Sequence, residues 1–229
     1  MFKKFLSVTL SLLLVVGLVA CGGGSATISV SSDDGGSSNV KVVANTNLKA
    51  QIQNLVTLAD TVTFGTTTGS KEPIEWYVLE DDGSKALLLS KYLLERKAYN
   101  DEYVDITWEN CTCRKWLNSE YINLIFSKNE QKYILTTDVV NNNNASYGTN
   151  GGNNTKDKLF LLSIDEFKKY YPNGSEAQYK NGSSAWWVLR SPGGIQSDAA
   201  EVNLDGNLYE YGYSVDDEVG IRPALWVKY

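Results

Sequence analysis

The stretch "AWWVLRSPGG" (185–194) places two adjacent tryptophans, an arginine and a proline in one short run. Neighbours on a strand point to opposite faces, so Trp186 and Trp187 cannot both be core and cannot both form one exposed platform. Val188 shares the side of Trp186, and Leu189 that of Trp187. The flanking order does not say which face is dry. Rings of this size dominate burial, so at least one of the two packs inside. We take Trp187 as the core member and Trp186 as the ring beside a ligand.

The segments that follow are of the same kind. "AAEVNL" (199–204), "LYEYGY" (208–213) and "GIRPALWV" (220–227) read as strands, and Asp205-Gly206 turns the middle hairpin. With Leu204 and Asp205 in a type I turn and Gly206 at positive φ, Val202 faces Leu208. Tyr209, Tyr211 and Tyr213 then share one face, with Glu201 and Asn203 on the matching side of the partner strand. Phenol rings beside polar groups suit sugars or peptides, because they offer large area at a small entropic cost. The same pattern also describes a tyrosine-rich sheet face covered by chain. The expected ligand site is Tyr209, Tyr211, Asn203 and Trp186, rimmed by the loop at 141–157, with no metal and no cofactor.

Upstream, Val62 and Phe64 alternate, and "PIEWYVLE" (73–80) and "KALLLS" (85–90) flank the turn Asp81-Asp82-Gly83-Ser84. From Asn110 the period changes. Cys113, Trp116, Leu117, Tyr121, Leu124 and Ile125 form one helical stripe, with a break near Asn118, and Trp116 is expected to be structural. Ser127 with Glu130, and Ser163 with Glu166, are capping boxes that each start a short helix; Pro172 and Asn173-Gly174 stop the second. "NNNNASYGTNGGNNTKD" (141–157) is nearly all turn formers and reads as a long surface loop. Leu48, Ile52, Leu55 and Leu58 predict a helix over 47–59.

Arg190 and Arg222 are two of four arginines, and each stands in an apolar strand just before or beside a proline. A buried arginine needs a carboxylate or carbonyl partner. We expect both to be structural; the other reading is a clamp for a ligand carboxylate or phosphate. Glu201-x-Asn203-x-Asp205-Gly206 imitates the opening of a calcium loop, but the twelfth position is Gly212 and the run alternates like a strand. Cys111 and Cys113, one residue apart, are poorly spaced for a disulfide and read as ordinary helix residues. No histidine exists anywhere, which removes the commonest general base and zinc ligand.

The N-terminus is a secretory signal. Lys3 and Lys4 precede an apolar run from Phe5 to Ala20, which ends Leu18-Val19-Ala20-Cys21. That ending resembles the bacterial lipobox, which implies cleavage before Cys21 and a diacylglycerol on its sulfur. Residues 21–46 are the lipidated cysteine and a Gly/Ser-rich tether. Without Lys3 and Lys4 the chain has 19 basic against 27 acidic residues, a formal charge of −8. Such a surface lacks the counterion-release term of nucleic-acid binding.

"IEWYVL" (74–79), "ALLLSK" (86–91), "ITWENCTCRKWLN" (106–118), "FSKNE" (126–130), "WWVLRSP" (186–192) and "GIRPALWV" (220–227) resemble a domain family of unknown function. That family is frequent in surface lipoproteins of Gram-positive gut bacteria. It usually has Ser and Leu where this chain has Cys111 and Cys113, which argues against thiol chemistry. More distantly, the ending resembles the C-type-lectin-like fold of the formylglycine-generating, sulfatase-modifying group. The active members of that group rely on a late cysteine pair, and this chain has no cysteine after Cys113.

The expected architecture is therefore α+β. It is a C-type-lectin-like mixed domain over 60–229, with antiparallel sheets flanked by two or three short helices. The expected function is a membrane-anchored, extracytoplasmic lipoprotein with a glycan- or protein-binding domain and no evident catalytic machinery. The alternatives are a carboxylate-using enzyme acting on envelope polymers and a purely structural surface protein. If Cys21 carries the anchor, Cys21→Ala releases the protein from membranes; an unacylated mature N-terminus by intact mass refutes the anchor.

Overall fold

The computed structural model describes Leu48, Gln51 and residues 61–229. The expected signal peptide (1–20), Cys21 and the tether (21–46) lie outside these residues. Within the expected helix over 47–59, Leu48 and Gln51 are helical and the remainder also lies outside them. Leu48 is buried in the core. Gln51 takes the Thr63 N–H on its Oε1 at 2.8 Å and so extends the edge of the first strand.

Alternating apolar residues make the first sheet. Strands β1 (Thr61–Thr66), β2 (Pro73–Asp81), β3 (Lys85–Ser90) and the closing β11 (Ala224–Lys228) pair antiparallel in the order β1-β2-β3-β11. β2 buries Ile74, Trp76 and Val78 on one face only, whereas central β3 is buried from Ala86 to Ser90. The β2–β3 turn is the expected one: Gly83 has φ 85°, and the Asp82 carboxylate accepts the N–H groups of Ser84 and Lys85.

A second sheet has the order β4-β10-β7-β8-β9. Its strands are β4 (Glu95–Ala98), β10 (Glu218–Ile221), β7 (Trp187–Pro192), β8 (Asp198–Val202) and β9 (Leu208–Ser214). All its pairs are antiparallel except β10 with β7, which meet in parallel at Gly220 and Trp187. The segment 220–227 is divided between the two sheets at Arg222-Pro223. Pro223 has no N–H to continue a ladder, and its carbonyl instead accepts the Ser90 N–H at 3.0 Å. A short third sheet pairs β5 (Thr137–Val139) with β6 (Thr155–Asp157). The domain is thus a mixed α+β one with a few short helices.

Helix α1 (Thr112–Trp116) runs through a π turn (Leu117–Tyr121) into α2 (Ile122–Ile125). Cys113, Leu117, Tyr121 and Ile125 are buried, a stripe spaced strictly by four. Such a stripe drifts by about 40° per step on an ideal α-helix, and the extra residue of a π turn takes up the drift. The break expected near Asn118 is this turn. One expected stripe member, Leu124, is instead 53% exposed, because the π turn shifts the register and Ile122 takes its place inside. Asn118 replaces lost ladder contacts, accepting the N–H groups of Lys158 and Leu159 and donating to the Leu159 carbonyl.

Both capping boxes form. Ser127 and Glu130 exchange hydrogen bonds but start only a single 3₁₀ turn (Glu130–Lys132). Ser163 and Glu166 start α3 (Ile164–Tyr170). The segment 141–157 is not the plain surface loop its composition predicts. Asn141, Asn144, Thr155 and Asp157 are buried, and its last three residues are β6.

Arg190 on β7 is 3% exposed and uses all its donors. Nε reaches Asn141 Oδ1, Nη1 the Leu161 carbonyl, and Nη2 the Val140 carbonyl at 3.0 Å, while both Nη atoms fork onto the Glu166 carboxylate. Arg222 is 1% exposed and has no carboxylate partner among the described residues. It donates to the Ser90 carbonyl and Ser175 Oγ, with its guanidinium 4.9 Å from the Trp187 ring centre. Arg190→Ala leaves Glu166 without its counter-charge and Asn141 Oδ1 and two carbonyls without their Arg190 donors, and costs about 3–5 kcal/mol; Arg190→Lys recovers less than half because an ammonium has no fork. Equilibrium urea unfolding reads both; unchanged midpoints refute this role.

Candidate functional site

The two tryptophans of 186–187 part as strand geometry requires. Trp187 is fully buried among the core residues, and Trp186 is half-buried on the other face. On that face β7, β8 and β9 lie side by side, with Val188 opposite Glu201 and Glu201 opposite Tyr209. The β8–β9 turn has the expected register, Val202 opposite Leu208, with Gly206 at φ 78°.

A bulge gathers the tyrosines. In a regular strand Tyr209 and Tyr213 stand about 13 Å apart. Here Ala199 pairs with Tyr213 and Glu201 with Tyr209, so one residue of β8 opposes three of β9. Gly212, at φ 71°, makes the kink, and a Cβ there would run into the Ala199 backbone. The Tyr209 and Tyr213 ring centres come to 5.3 Å, and Trp186 meets them edge to face at 5.8 and 5.2 Å. Tyr211 lies 6.4 Å from Tyr209 and receives Tyr147 edge-on at 5.4 Å. The four tyrosines remain 37–51% exposed.

Tyr147 comes from the asparagine-rich segment, which is tied to this sheet. Asn144, 1% exposed, donates through Nδ2 to the carbonyls of Pro192, Gly193 and Glu210. Ser146 donates to the Glu210 carboxylate, which also pairs with Lys168 of α3 at 2.7 Å. The segment thus forms one side of the aromatic face.

Beneath the rings is Glu201, 2% exposed. No described residue donates a hydrogen bond to its carboxyl. Burial, and then the nearby Asp217 and Asp198, push it from an ordinary 4.5 up to about 8. Burial and Asp217 also raise Asp198. Asn203 shares β8's end, but its Oδ1 accepts the N–H groups of Asp205 and Asn207 and so shapes the turn. Asp205 is exposed in that turn, and no metal-ligating group of three or more acids, cysteines or histidines occurs among the described residues. The sequence placed Glu201 on this side as a polar neighbour of the tyrosines but did not show it buried, since burial beneath the rings is a property of the assembled sheet.

The remaining expected residues lie elsewhere. Trp116 is half-buried, stacked on Tyr121 at 4.3 Å with Lys97 over its ring. Cys111 and Cys113 are buried free thiols; burial pushes Cys111 up to about 12 and raises Cys113 well above the ordinary range. Cys111 caps α1, accepting the Arg114 N–H on Sγ. A hollow of about 270 Å³ is lined by Tyr77, Lys91, Tyr92, Glu176 and their neighbours, and shares no residue with the aromatic face.

A mixed α+β domain with this aromatic face is the class defined by the geometry. A family model described as a domain of unknown function, DUF6273, matches residues 83–229, and the chain belongs to that family. The match begins inside the β2–β3 turn, although β1 and β2 complete the same sheet. No curated protein and no solved structure is significantly similar to the chain.

An acid with a raised folded pKa holds a proton that the unfolded chain has already lost. From about 4.5 up to about 8, Glu201 therefore makes stability fall as pH rises, and the loss is complete above the folded value. Glu201→Gln, which cannot ionise, matches the wild type near pH 4.5 and is more stable by about 2–4 kcal/mol at pH 9. Urea unfolding across that range measures it; parallel curves for the two proteins show that Glu201 titrates as if in water.

Proposed function

We propose that the chain is a membrane-anchored, extracytoplasmic lipoprotein whose domain binds a glycan on the face made by Trp186, Tyr209, Tyr211, Tyr213 and Tyr147. Residues 1–20 act as its signal peptide, and Cys21 carries the lipid that partners it with the membrane. The tether lifts the domain from the bilayer, as in the surface lipoproteins of Gram-positive gut bacteria that it resembles. A C-type-lectin-like arrangement of the α+β domain is part of the same reading, as is the absence of nucleic-acid binding by a chain of this negative charge.

The observation that carries the glycan assignment is the exposure of four tyrosines joined in a chain of ring contacts, Tyr147 to Tyr211 to Tyr209 to Tyr213. Large rings normally enter a core, and an exposed aromatic cluster rimmed by polar groups marks an interaction surface. Phenols present a flat apolar body and a polar tip, which matches the alternating apolar faces and hydroxyls of a sugar ring. A peptide ligand uses the same chemistry with backbone groups in place of hydroxyls. The enzymatic reading has one observation in its favour: Glu201, held protonated near neutral pH beside Asp198, is the type of group that donates a proton in glycoside cleavage.

Arrays of glycans and peptides probed with the detergent-solubilised full chain test the assignment. Tyr209→Ala with Tyr211→Ala weakens glycan binding by about 30-fold or more and leaves melting nearly unchanged. Undiminished binding by the folded double variant moves the site elsewhere, a collapse in melting makes the tyrosines core, and peptide-only binding removes the glycan. Cleavage of a bound glycan favours the enzyme.

A further inference from the structure

We propose that the aromatic face takes a ligand bearing a fixed positive charge, a substituted ammonium group. It would seat against Trp186, Tyr209 and Tyr213, with Glu201, Asp198 and Asp217 as its counter-charges. This deepens the glycan assignment, on which it rests, by naming the substituent that the sugar carries.

The structure contains its own comparison. Asp157, the buried carboxylate near α1, is supplied with three donors: Arg114 Nε at 2.7 Å, Trp108 Nε1 at 3.0 Å and the Thr155 hydroxyl. Glu201 is equally buried, yet no described residue donates to it. Asp198, 8% exposed, likewise accepts no side-chain donor, and none of Glu201, Asp198 and Asp217 enters an ion pair among the described residues. Among the described residues the fully enclosed side-chain atoms that lack a partner are Ser90 Oγ and Trp187 Nε1, so the Glu201 carboxyl, though only 2% exposed, is still reached from the surface and is open to a partner that arrives from outside.

The charge of the site selects a cation. Asp198 and the exposed Asp217 have no basic partner among the described residues and disfavour an anion, and a seated cation favours loss of the Glu201 proton, which adds a further counter-charge. The rings add to the same preference, since the face of an aromatic ring attracts positive charge and substituted ammonium ions gain most from several rings at once. Trp186, Tyr209 and Tyr213 are the rings on the side of the sheet where Glu201 emerges.

The groups facing Glu201 set how binding responds to pH. On β8 it has Asp198, from the β9–β10 turn Asp217, across on β9 the phenol of Tyr209, on β7 the uncharged Val188, and just before β7 the uncharged Trp186. A seated cation favours the ionised carboxyl, so binding expels the Glu201 proton. Affinity rises with pH until Glu201 is ionised in the free protein as well.

Choline, whose charge does not titrate, and its uncharged isostere 3,3-dimethylbutan-1-ol are the probes. Tryptophan fluorescence and calorimetry of the full chain in detergent are the readouts. The expected result is saturable choline binding, weaker by about tenfold or more for the isostere. Affinity for choline increases about tenfold between pH 7 and pH 9. Glu201→Gln, checked to be folded at both pH values, loses that pH dependence and most of the affinity at pH 9. Equal binding of choline and the isostere, or no choline binding at millimolar concentration at pH 9, overturns the inference, and the wild-type comparison requires no variant to fold. If choline fails while tyrosine-dependent binding of uncharged glycans persists, the inference falls and the glycan assignment stands. If neither probe nor glycan depends on Tyr209 and Tyr211, both fall together.

Discussion

The buried guanidinium of Arg190 holds together parts of the chain that share no strand ladder. It stands on β7, in the middle of the second sheet, and its donors reach Glu166 on α3, the Leu161 carbonyl, and the Val140–Asn141 segment. Its own backbone continues the junction: the N–H donates to the Leu162 carbonyl, and the carbonyl accepts the Tyr99 hydroxyl. Placing a full charge in the core is unfavourable unless every donor finds an acceptor, so these segments must all be present for any to be in place. Helix α3 and the start of the asparagine-rich segment are therefore set by one side chain. Asn144, three residues past Asn141, then fastens that segment to the carbonyls of Pro192, Gly193 and Glu210, and Tyr147 follows. The position of Tyr147, one side of the aromatic face, traces back to that charge.

The face itself arises from a conflict between the β8 and β9 ladders. β9 carries three residues where β8 has one, and the strand kinks instead of slipping. The kink brings rings that a flat strand would space apart into contact, and it does so on the side where Trp186 already stands. The opposite side of β7 carries Trp187 into the core, beneath the Arg222 guanidinium. Two adjacent tryptophans thus serve opposite purposes, one closing the interior and one lining the surface. The acidic floor has no such internal resolution. Elsewhere the chain provides an arginine, an indole and a hydroxyl for Asp157, whereas Glu201 keeps its proton because burial and two neighbouring acids oppose its charge.

Local patterns carried much of the architecture. The period-two runs on either side of Asp81-Asp82-Gly83-Ser84 form their hairpin, the Asp205-Gly206 turn has the expected register, and both capping boxes close. Each is decided within a few residues, by a side chain meeting its own backbone or by a glycine adopting a conformation others avoid. The helical stripe from Cys113 was legible, but not the turn that keeps it straight, because the π turn exists to hold Leu117, Tyr121 and Ile125 against a core that the helix does not contain. The asparagine-rich segment misled for a related reason. Its composition reports a taste for turns, and only the neighbouring carbonyls decide that Asn141 and Asn144 are buried.

The sequence alone determined the mixed α+β class, the strand and turn positions, and the rule that Trp186 and Trp187 face opposite ways. These follow from backbone geometry and side-chain alternation, which act over a few residues. Only the tertiary structure decided that Arg190 meets Glu166 while Arg222 meets carbonyl, hydroxyl and ring, and that three tyrosines collect above Glu201, buried near Asp198. Those outcomes depend on groups from separate strands sharing one small volume from which water is excluded. Solvation and charge compensation belong to that volume, and no residue carries them in its own neighbourhood along the chain.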